Sequence, residues 1–290
     1  MSLKSCLVLG SSGLIGTALC ESVSRSRIVH GVSRHRPMTH ERFHWTHADF
    51  TRPLDMGILP PEVDAVVYLA QSEQFRDFPA SACGIFEVNT ATLLRALDYA
   101  RGAGARHFVF ASSGGVYGTG DHHFAEDHPV PATGELGFYL STKLCSEILS
   151  RNYAAFFNVS ILRLFFVYGA GQRRNMLIPR LVDNVREGRA IDLGGRDGIR
   201  INPTHVSDAV RAIEGALALE GSHTINIAGP EVLSLRDIGD AIGRAVGRAP
   251  EWNVNDGVAL NHIVGDIDKM TRLLGVPTVG FAEGLRASAF

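Results

Sequence analysis

The sequence predicts an α/β fold, a doubly wound parallel sheet with a small C-terminal lobe. Two observations carry that expectation. Short apolar runs alternate with longer helical stretches over the first two-thirds of the chain, and Gly10, Gly13 and Gly16 follow the first run directly. The runs Leu3–Leu9, Ile28–Ser33, Ala65–Ala70 and His107–Ser112 are rich in Val, Leu, Ile and Phe. They are apolar on both faces, as parallel strands covered by helices on each side must be.

The helices follow from period and punctuation. Asn89–Arg101 places Leu93, Leu94, Leu97 and Ala100 at helical spacing, and Gly102 and Gly104 stop it. Phe138–Phe157 puts Tyr139, Lys143 and Glu147 on one side and Leu140, Leu144 and Ile148 on another. After Gly169 the pattern loosens, with a polar loop at 171–175 and four glycines between Gly188 and Gly198. A helix fits Ser207–Glu220 and a strand fits Thr224–Ala228. Ser234 and Asp237 resemble a capping box opening a helix over Leu235–Val246. The expected organisation is residues 1–165 with 201–228 as a nucleotide-binding domain, and 166–200 with 229–290 as a substrate-covering lobe.

Composition narrows the function classes. The 290 residues are 45% hydrophobic and 20% charged with a formal net charge of −2, which suits a globular chain with a buried core and excludes bulk disorder. That balance gives no electrostatic footprint for nucleic acid or an anionic membrane surface, and no apolar run reaches the roughly 18 residues of a membrane span. Cys6, Cys20, Cys83 and Cys145 are scattered without a CxxC pair, as expected of reduced thiols in the cytoplasm. Met1-Ser2-Leu3-Lys4 leads at once into a short strand and lacks the pattern of a secretion signal. A cytoplasmic location is expected.

Three motifs carry chemistry. Gly10-Ser11-Ser12-Gly13-Leu14-Ile15-Gly16 reads as a strand-to-helix turn in which backbone can approach a pyrophosphate over free helix N–H groups. Its spacing is GxxGxxG. Tyr139-Leu140-Ser141-Thr142-Lys143 places a lysine four residues after a tyrosine, on one helical face. A free phenol titrates at about 10, and lowering it by about three units takes roughly 4 kcal/mol, which nearby cations in a dry cleft can supply. Ala111-Ser112-Ser113-Gly114-Gly115 lies at the carboxyl end of a strand, where open α/β sheets bind ligands. Ser113 there can polarise a substrate oxygen. Each motif alone has a bland reading, as an ordinary turn or a surface pair, but the three occur together and in order.

On these residues the chain resembles the NAD-dependent epimerase/dehydratase family of extended short-chain dehydrogenases/reductases, Rossmann-like enzymes acting mostly on nucleotide sugars. Further marks extend the resemblance over nearly the whole chain. Asp49-Phe50 matches the pair beside adenine, Tyr68-Leu69-Ala70 a strand end lining the cofactor, and Asn89 the opening of a family helix. The stretch 162–169 (LRLFFVYG) resembles LRxxNVYG, and His205-Val206-Ser207-Asp208 resembles HVxD. The resemblance implies Tyr139 as acid/base, Lys143 holding the ribose and tuning Tyr139, and Ser113 on the substrate oxygen. It implies cofactor contacts from Gly10, Ser12, Gly13, Leu14, Ile15, Gly16, Asp49, Phe50, Leu69, Ala70, Asn89, Tyr139 and Lys143. A small-molecule substrate, a nucleotide sugar, and a homodimer are implied as well.

The departures are informative. Gly114 and Gly115 stand where the family's 4,6-dehydratases carry an Asp-Glu pair, which disfavours dehydration. Phe166 replaces an asparagine that often contacts the diphosphate, and Ile201 replaces an arginine, with Arg200 one residue away. Phe166 and Arg200 join Ser113 as candidate substrate contacts. After the second strand, Ser33-Arg34 stands where an acid would bond the ribose of NAD, with Arg36 close behind, and either arginine could pair with a 2′-phosphate, so NADP is favoured over NAD. The crowded His30, His35, His40, His44 and His47, and the pair His122-His123, lack HExxH spacing; a solvated loop is expected and no metal. The leading function is a nucleotide-sugar 4-epimerase or 4-ketoreductase, set against a non-catalytic dinucleotide-binding sensor or partner-binding module.

Overall fold

The computed structural model describes residues 3–131, 136–257 and 261–290, so Met1 and Ser2 of the signal-peptide reading lie outside the described residues. The chain opens with β1 (Ser5–Leu9), α1 (Leu14–Val23), β2 (Ile28–Ser33), β3 (Phe43–His47) and β4 (Ala65–Tyr68). There follow α2 (Ala82–Phe86), a π-helical turn (Glu87–Ala91), α3 (Thr92–Gly102), β5 (His107–Ser113) and β6 (His123–Phe124). Next come α4 (Gly137–Asn152), β7 (Asn158–Leu164), α5 (Leu177–Glu187), β8 (Ile191–Gly194) and β9 (Arg200–Ile201). The last part holds α6 (Val206–Ala216), β10 (His223–Ile227), β11 (Leu233–Ser234), α7 (Leu235–Val246) and β12 (Trp252–Asn255). It closes with β13 (Val264–Gly265), α8 (Asp268–Leu274) and α9 (Phe281–Ala287).

Seven strands form one parallel sheet in the order β3-β2-β1-β4-β5-β7-β10. This is the Rossmann-like architecture that the alternating runs predict. Strand order reverses beside β1, which pairs with β2 on one edge and β4 on the other. The carboxyl ends of β1 and β4 therefore flank the switch point at which such sheets hold their ligands. Leu7, Leu9, Val66, Tyr68, Phe108 and Phe110 are all fully buried in the core that covers this sheet. They come from β1, β4 and β5, the strands whose runs are apolar on both faces.

Contacts divide the chain into two compact units. The first comprises Met1–Val116, Val130–Arg163 and Val210–Ile225; the second comprises Tyr117–Pro129, Leu164–Ala209 and Asn226–Phe290. The second has its own core, in which Tyr168, Ile178, Leu181, Ile191, Ile238, Ile242 and Phe281 are buried. Its α7 begins at the expected cap: the Ser234 hydroxyl accepts from the Asp237 N–H at 3.0 Å, while the Ser234 N–H donates to Asp237 Oδ2 at 2.9 Å.

Several elements differ from the expected pattern. The histidine-rich stretch contains β3, an edge strand pairing His44 with His30 of β2 and His47 with Ser33. β3 pairs with β2 at the edge of the sheet, and of its residues Phe43 alone is buried, so the strand period is hidden. The glycine-rich segment contains β8, which pairs in parallel with β12. Among the described residues no helix is long and apolar enough to cross a membrane.

Candidate active site

The turn after β1 is shaped by close backbone approach. Gly10 has φ of +93°, and a Cβ there would lie 2.7 Å from the Ala70 nitrogen at the end of β4. A Cβ on Gly16 would lie 2.2 Å from the Gly10 carbonyl oxygen. Gly13 is the N-cap of α1 and offers no side-chain cap, so the first N–H groups of a ten-residue helix are left for a ligand. Ser12 and Gly13 are exposed, Leu14 and Ile15 half-buried, and Gly16 buried. This arrangement suits a pyrophosphate held by backbone donors. Gly16→Ala is expected to cost about 1–3 kcal/mol, as overpacking does, and to abolish dinucleotide retention. Urea unfolding and cofactor content of the purified variant check both.

At the end of β2 the polar groups are already committed. The Ser33 hydroxyl donates to the His35 carbonyl at 2.7 Å and lies 2.9 Å from the Ser11 hydroxyl. Trp45 Nε1 donates to the same oxygen at 3.2 Å. A hydroxyl has one proton and two lone pairs, so Ser33 has no capacity left for a phosphate. Arg34 forms an ion pair with Glu73. Both are features that the sequence conceals, because Ser11, Trp45 and Glu73 lie on other loops and strands.

Around the switch point the remaining cofactor candidates cluster in the first unit. Asp49 accepts from the Thr51 N–H at 3.0 Å and its hydroxyl at 2.9 Å. Those hydrogen bonds, the backbone one foremost, hold its carboxyl below the usual range. Phe50 and Ala70 are buried and Leu69 is half-buried. Asn89, fully buried in the π-helical turn, accepts from the Ser72 N–H at 3.0 Å and donates to Thr142 Oγ1 at 2.9 Å. It ties the loop after β4 to helix α4.

Helix α4 and strand β5 bring the catalytic candidates together. Tyr139 donates from its hydroxyl to Gln71 Oε1 at 2.9 Å and packs at 5.0 Å, ring centroid to centroid, on Phe75. Burial pushes its phenol pKa up, and a hydrogen bond with the Ser113 side chain offsets part of that rise. Lys143 is buried and donates from Nζ to the Ala111 carbonyl at 2.8 Å. Its nitrogen lies 5.1 Å from the Phe110 ring centroid and 6.0 Å from that of Tyr139. Burial pushes this amine down to about 7 against the opposing charge of Glu147. Gln71, directly after Tyr68-Leu69-Ala70, is a contact that the motifs do not reveal.

Two features bear on chemistry at Ser113. Its hydroxyl accepts from the Gly115 N–H at 3.2 Å. A Cβ on Gly115 would come within 3.0 Å of Leu140 Cδ2, so a side chain there would require Leu140 to shift by a few tenths of an ångström. The other two substrate candidates belong to the second unit. Phe166 has φ of +44°, unusual for a residue with a Cβ. Arg200 is exposed on β9, and its N–H donates to His262 Nδ1 at 2.9 Å.

With this geometry in hand, comparison with known proteins decides the family. The sequence model of the NAD dependent epimerase/dehydratase family matches residues 6–228. The chain belongs to that family. A UDP-glucuronate 4-epimerase of Thermodesulfobacterium geofontis is 28% identical over 231 residues, covering 77% of this chain and 71% of the relative. A UDP-glucuronic acid 4-epimerase from Bacillus cereus, solved with UDP-glucuronic acid and NAD, superposes with a TM-score of 0.86 at 26% identity, covering 98% of this chain and 97% of its own. MoeE5, solved with the same two ligands, gives 0.85 at 27% identity with the same coverage.

Those family members correct the expectation of NADP over NAD, since both solved relatives hold NAD. The physical reason lies at Ser33 and Arg34. Ser33 is hydrogen-bonded to capacity, and the carboxylate of Glu73 engages the guanidinium that a 2′-phosphate would need while repelling such a phosphate itself.

Proposed function

We propose that the protein is an NAD-dependent 4-epimerase of a UDP-linked hexose or hexuronate. The observation that carries this reading is the convergence of Ser113, Tyr139 and Lys143 at the carboxyl end of β5, within one compact unit. The likeness to two NAD-bound UDP-sugar complexes supports the substrate class. Gly114 and the crowded Gly115 weigh against a dehydratase. We assign the cofactor to the first unit and the sugar nucleotide to the second, with Phe166 and Arg200 among its contacts.

The Gly10–Gly16 turn fits a dinucleotide, because its glycines let the turn pack tightly on itself and on the segment after β4 while the N–H groups at the start of α1 carry no side-chain cap. Asp49 and Phe50 would border the adenine, and Asn89 would hold the loop after β4 in place. Bound NAD supplies the hydride acceptor and donor for C4 of the sugar. Tyr139 takes the proton from the C4 hydroxyl and, once the keto-sugar has turned, returns it to the same oxygen, while inversion comes from hydride reaching the opposite face of C4. Ser113 donates to the same oxygen. Lys143, which places one of its three donors on Ala111, would bind the ribose and favour the phenolate.

The exposed apolar side chains Phe78, Phe86, Leu94 and Ile148 lie on or beside α2, α3 and α4 of the first unit. They support a homodimer formed through these helices. The four cysteines are free thiols, which fits the cytoplasm.

The test is to purify the protein, measure its cofactor and offer it UDP-glucose and UDP-glucuronate. NAD is expected to bind at least tenfold more tightly than NADP, and each sugar nucleotide that reacts should give its C4 epimer without net cofactor consumption. Stoichiometric NADH consumption on a 4-keto sugar would make it a reductase. Bound NAD with no reaction on any sugar nucleotide would make it a sensor.

A further inference from the structure

Beneath the tyrosine and lysine lies a buried ionic cluster that the proton-transfer scheme does not use. Glu147, one helical turn beyond Lys143 on α4, is fully buried. Its carboxylate accepts from Arg163 Nε at 3.0 Å and Nη2 at 2.7 Å, a two-pronged contact from β7. Arg151 Nη2 donates to it at 2.9 Å, one turn further along α4. The Ser112 hydroxyl donates to Oε1 at 2.6 Å. Ser112 sits between Ala111, which accepts from Lys143, and Ser113, which hydrogen-bonds with Tyr139.

We propose that Glu147 is a positioning residue: through Ser112 it fixes the end of β5 against α4, and its charge keeps Lys143 cationic beside Tyr139. The proposal rests on the reading of Tyr139 and Lys143 given above. Stability alone is a poor reason for such a cluster. Buried ion pairs can often be exchanged for apolar residues of similar volume at no loss, so the charge itself calls for an explanation.

Lys143 supplies it. A buried amine tends to lose its proton, and a neutral amine does nothing for a phenolate. The groups around it decide the outcome. On α4 these are Tyr139 and Glu147, with Arg151 behind the carboxylate; β5 contributes the Ala111 carbonyl, the Phe110 ring and the Ser112 and Ser113 hydroxyls; β7 contributes Arg163. Glu147 is the anion in that set and favours the charged lysine, while the Arg151 and Arg163 guanidinium groups bonded to it offset part of its charge.

The chain has three lysines, Lys4, Lys143 and Lys269, which makes a direct measurement possible. The protein labelled at lysine Cε is titrated by NMR, and Lys143→Met assigns the Lys143 resonance. In Glu147→Gln, which keeps the shape and an acceptor for Ser112, the Lys143 midpoint is expected to move down by about one pH unit. An unchanged midpoint in folded Glu147→Gln overturns the proposal. This readout needs no substrate, so it stands or falls independently of the assigned reaction. Ser112→Ala tests the tether and covers the case in which Glu147→Gln does not fold. It should lower kcat about tenfold with KM nearly unchanged and the melting temperature somewhat lowered, since a charge-assisted hydrogen bond to a buried carboxylate is lost from beneath Ser113. Unaltered kcat in Ser112→Ala contradicts the tether.

Discussion

Tyr139→Phe is expected to lower kcat by about 10²–10⁴, the usual range for a positioned acid or base. The substitution removes one oxygen and leaves the ring against Phe75, with which it packs at 5.0 Å between centroids. Cofactor retention and KM should therefore change little, and the loss should appear in kcat and kcat/KM alike. The hydroxyl also donates to Gln71, but that contact is half-exposed, and its loss leaves Gln71 able to turn to water. Steady-state kinetics on an accepted UDP-sugar, together with the NAD content of the purified variant, separate chemistry from binding. Near-normal turnover would remove Tyr139 from the mechanism.

Arg163→Leu is expected to cost about 3–5 kcal/mol of stability, the penalty for leaving a buried charge without its partner. Glu147 has no exposed surface through which water could take the place of the guanidinium, and Arg151 reaches it with a single nitrogen from the surface. Urea unfolding measures the loss. The double variant Arg163→Leu/Glu147→Leu should recover most of it, because two apolar side chains leave no charge unpaired. That recovery in stability should bring little return of turnover, since the double variant also lacks the anion beside Lys143. A single variant as stable as the parent would show that Arg151 and Ser112 satisfy the carboxylate without Arg163.

Much of the fold was legible because it depends on local sequence. The β1–α1 turn needs glycines at fixed offsets, β1, β2, β4 and β5 are runs apolar on both faces, and α7 starts at a capping box written in four consecutive residues. Edge structure was less legible. In β3 the side chains of His44 and His47 are exposed, so the strand lacks the buried run of its neighbours. β8 and β12 support each other from 61 residues apart, Asn253 pairing with Asp192, which no local pattern announces.

The site divides in the same way. Tyr139 and Lys143 announce themselves by helical spacing, and Glu147 continues their face. The cofactor preference did not survive because Ser33 and Arg34 are read by partners distant in sequence. Ser11 and Trp45 saturate the serine, and Glu73 engages the arginine. A serine-arginine pair in isolation looks receptive to phosphate; with those partners in place it is not. Gln71 was hidden for a related reason, as its role depends on the loop after β4 being held against α4 by Asn89.

The most direct test of the central claim is the fate of hydrogen at C4. UDP-glucuronate or UDP-glucose carrying deuterium at C4 is incubated with the NAD-containing protein, and the sugar is examined by NMR. An NAD-dependent 4-epimerase should produce the C4 epimer with the deuterium still on C4, because the same cofactor takes and returns it. Inversion at another carbon, or a C4 epimer whose deuterium has been replaced by solvent hydrogen, would contradict the account.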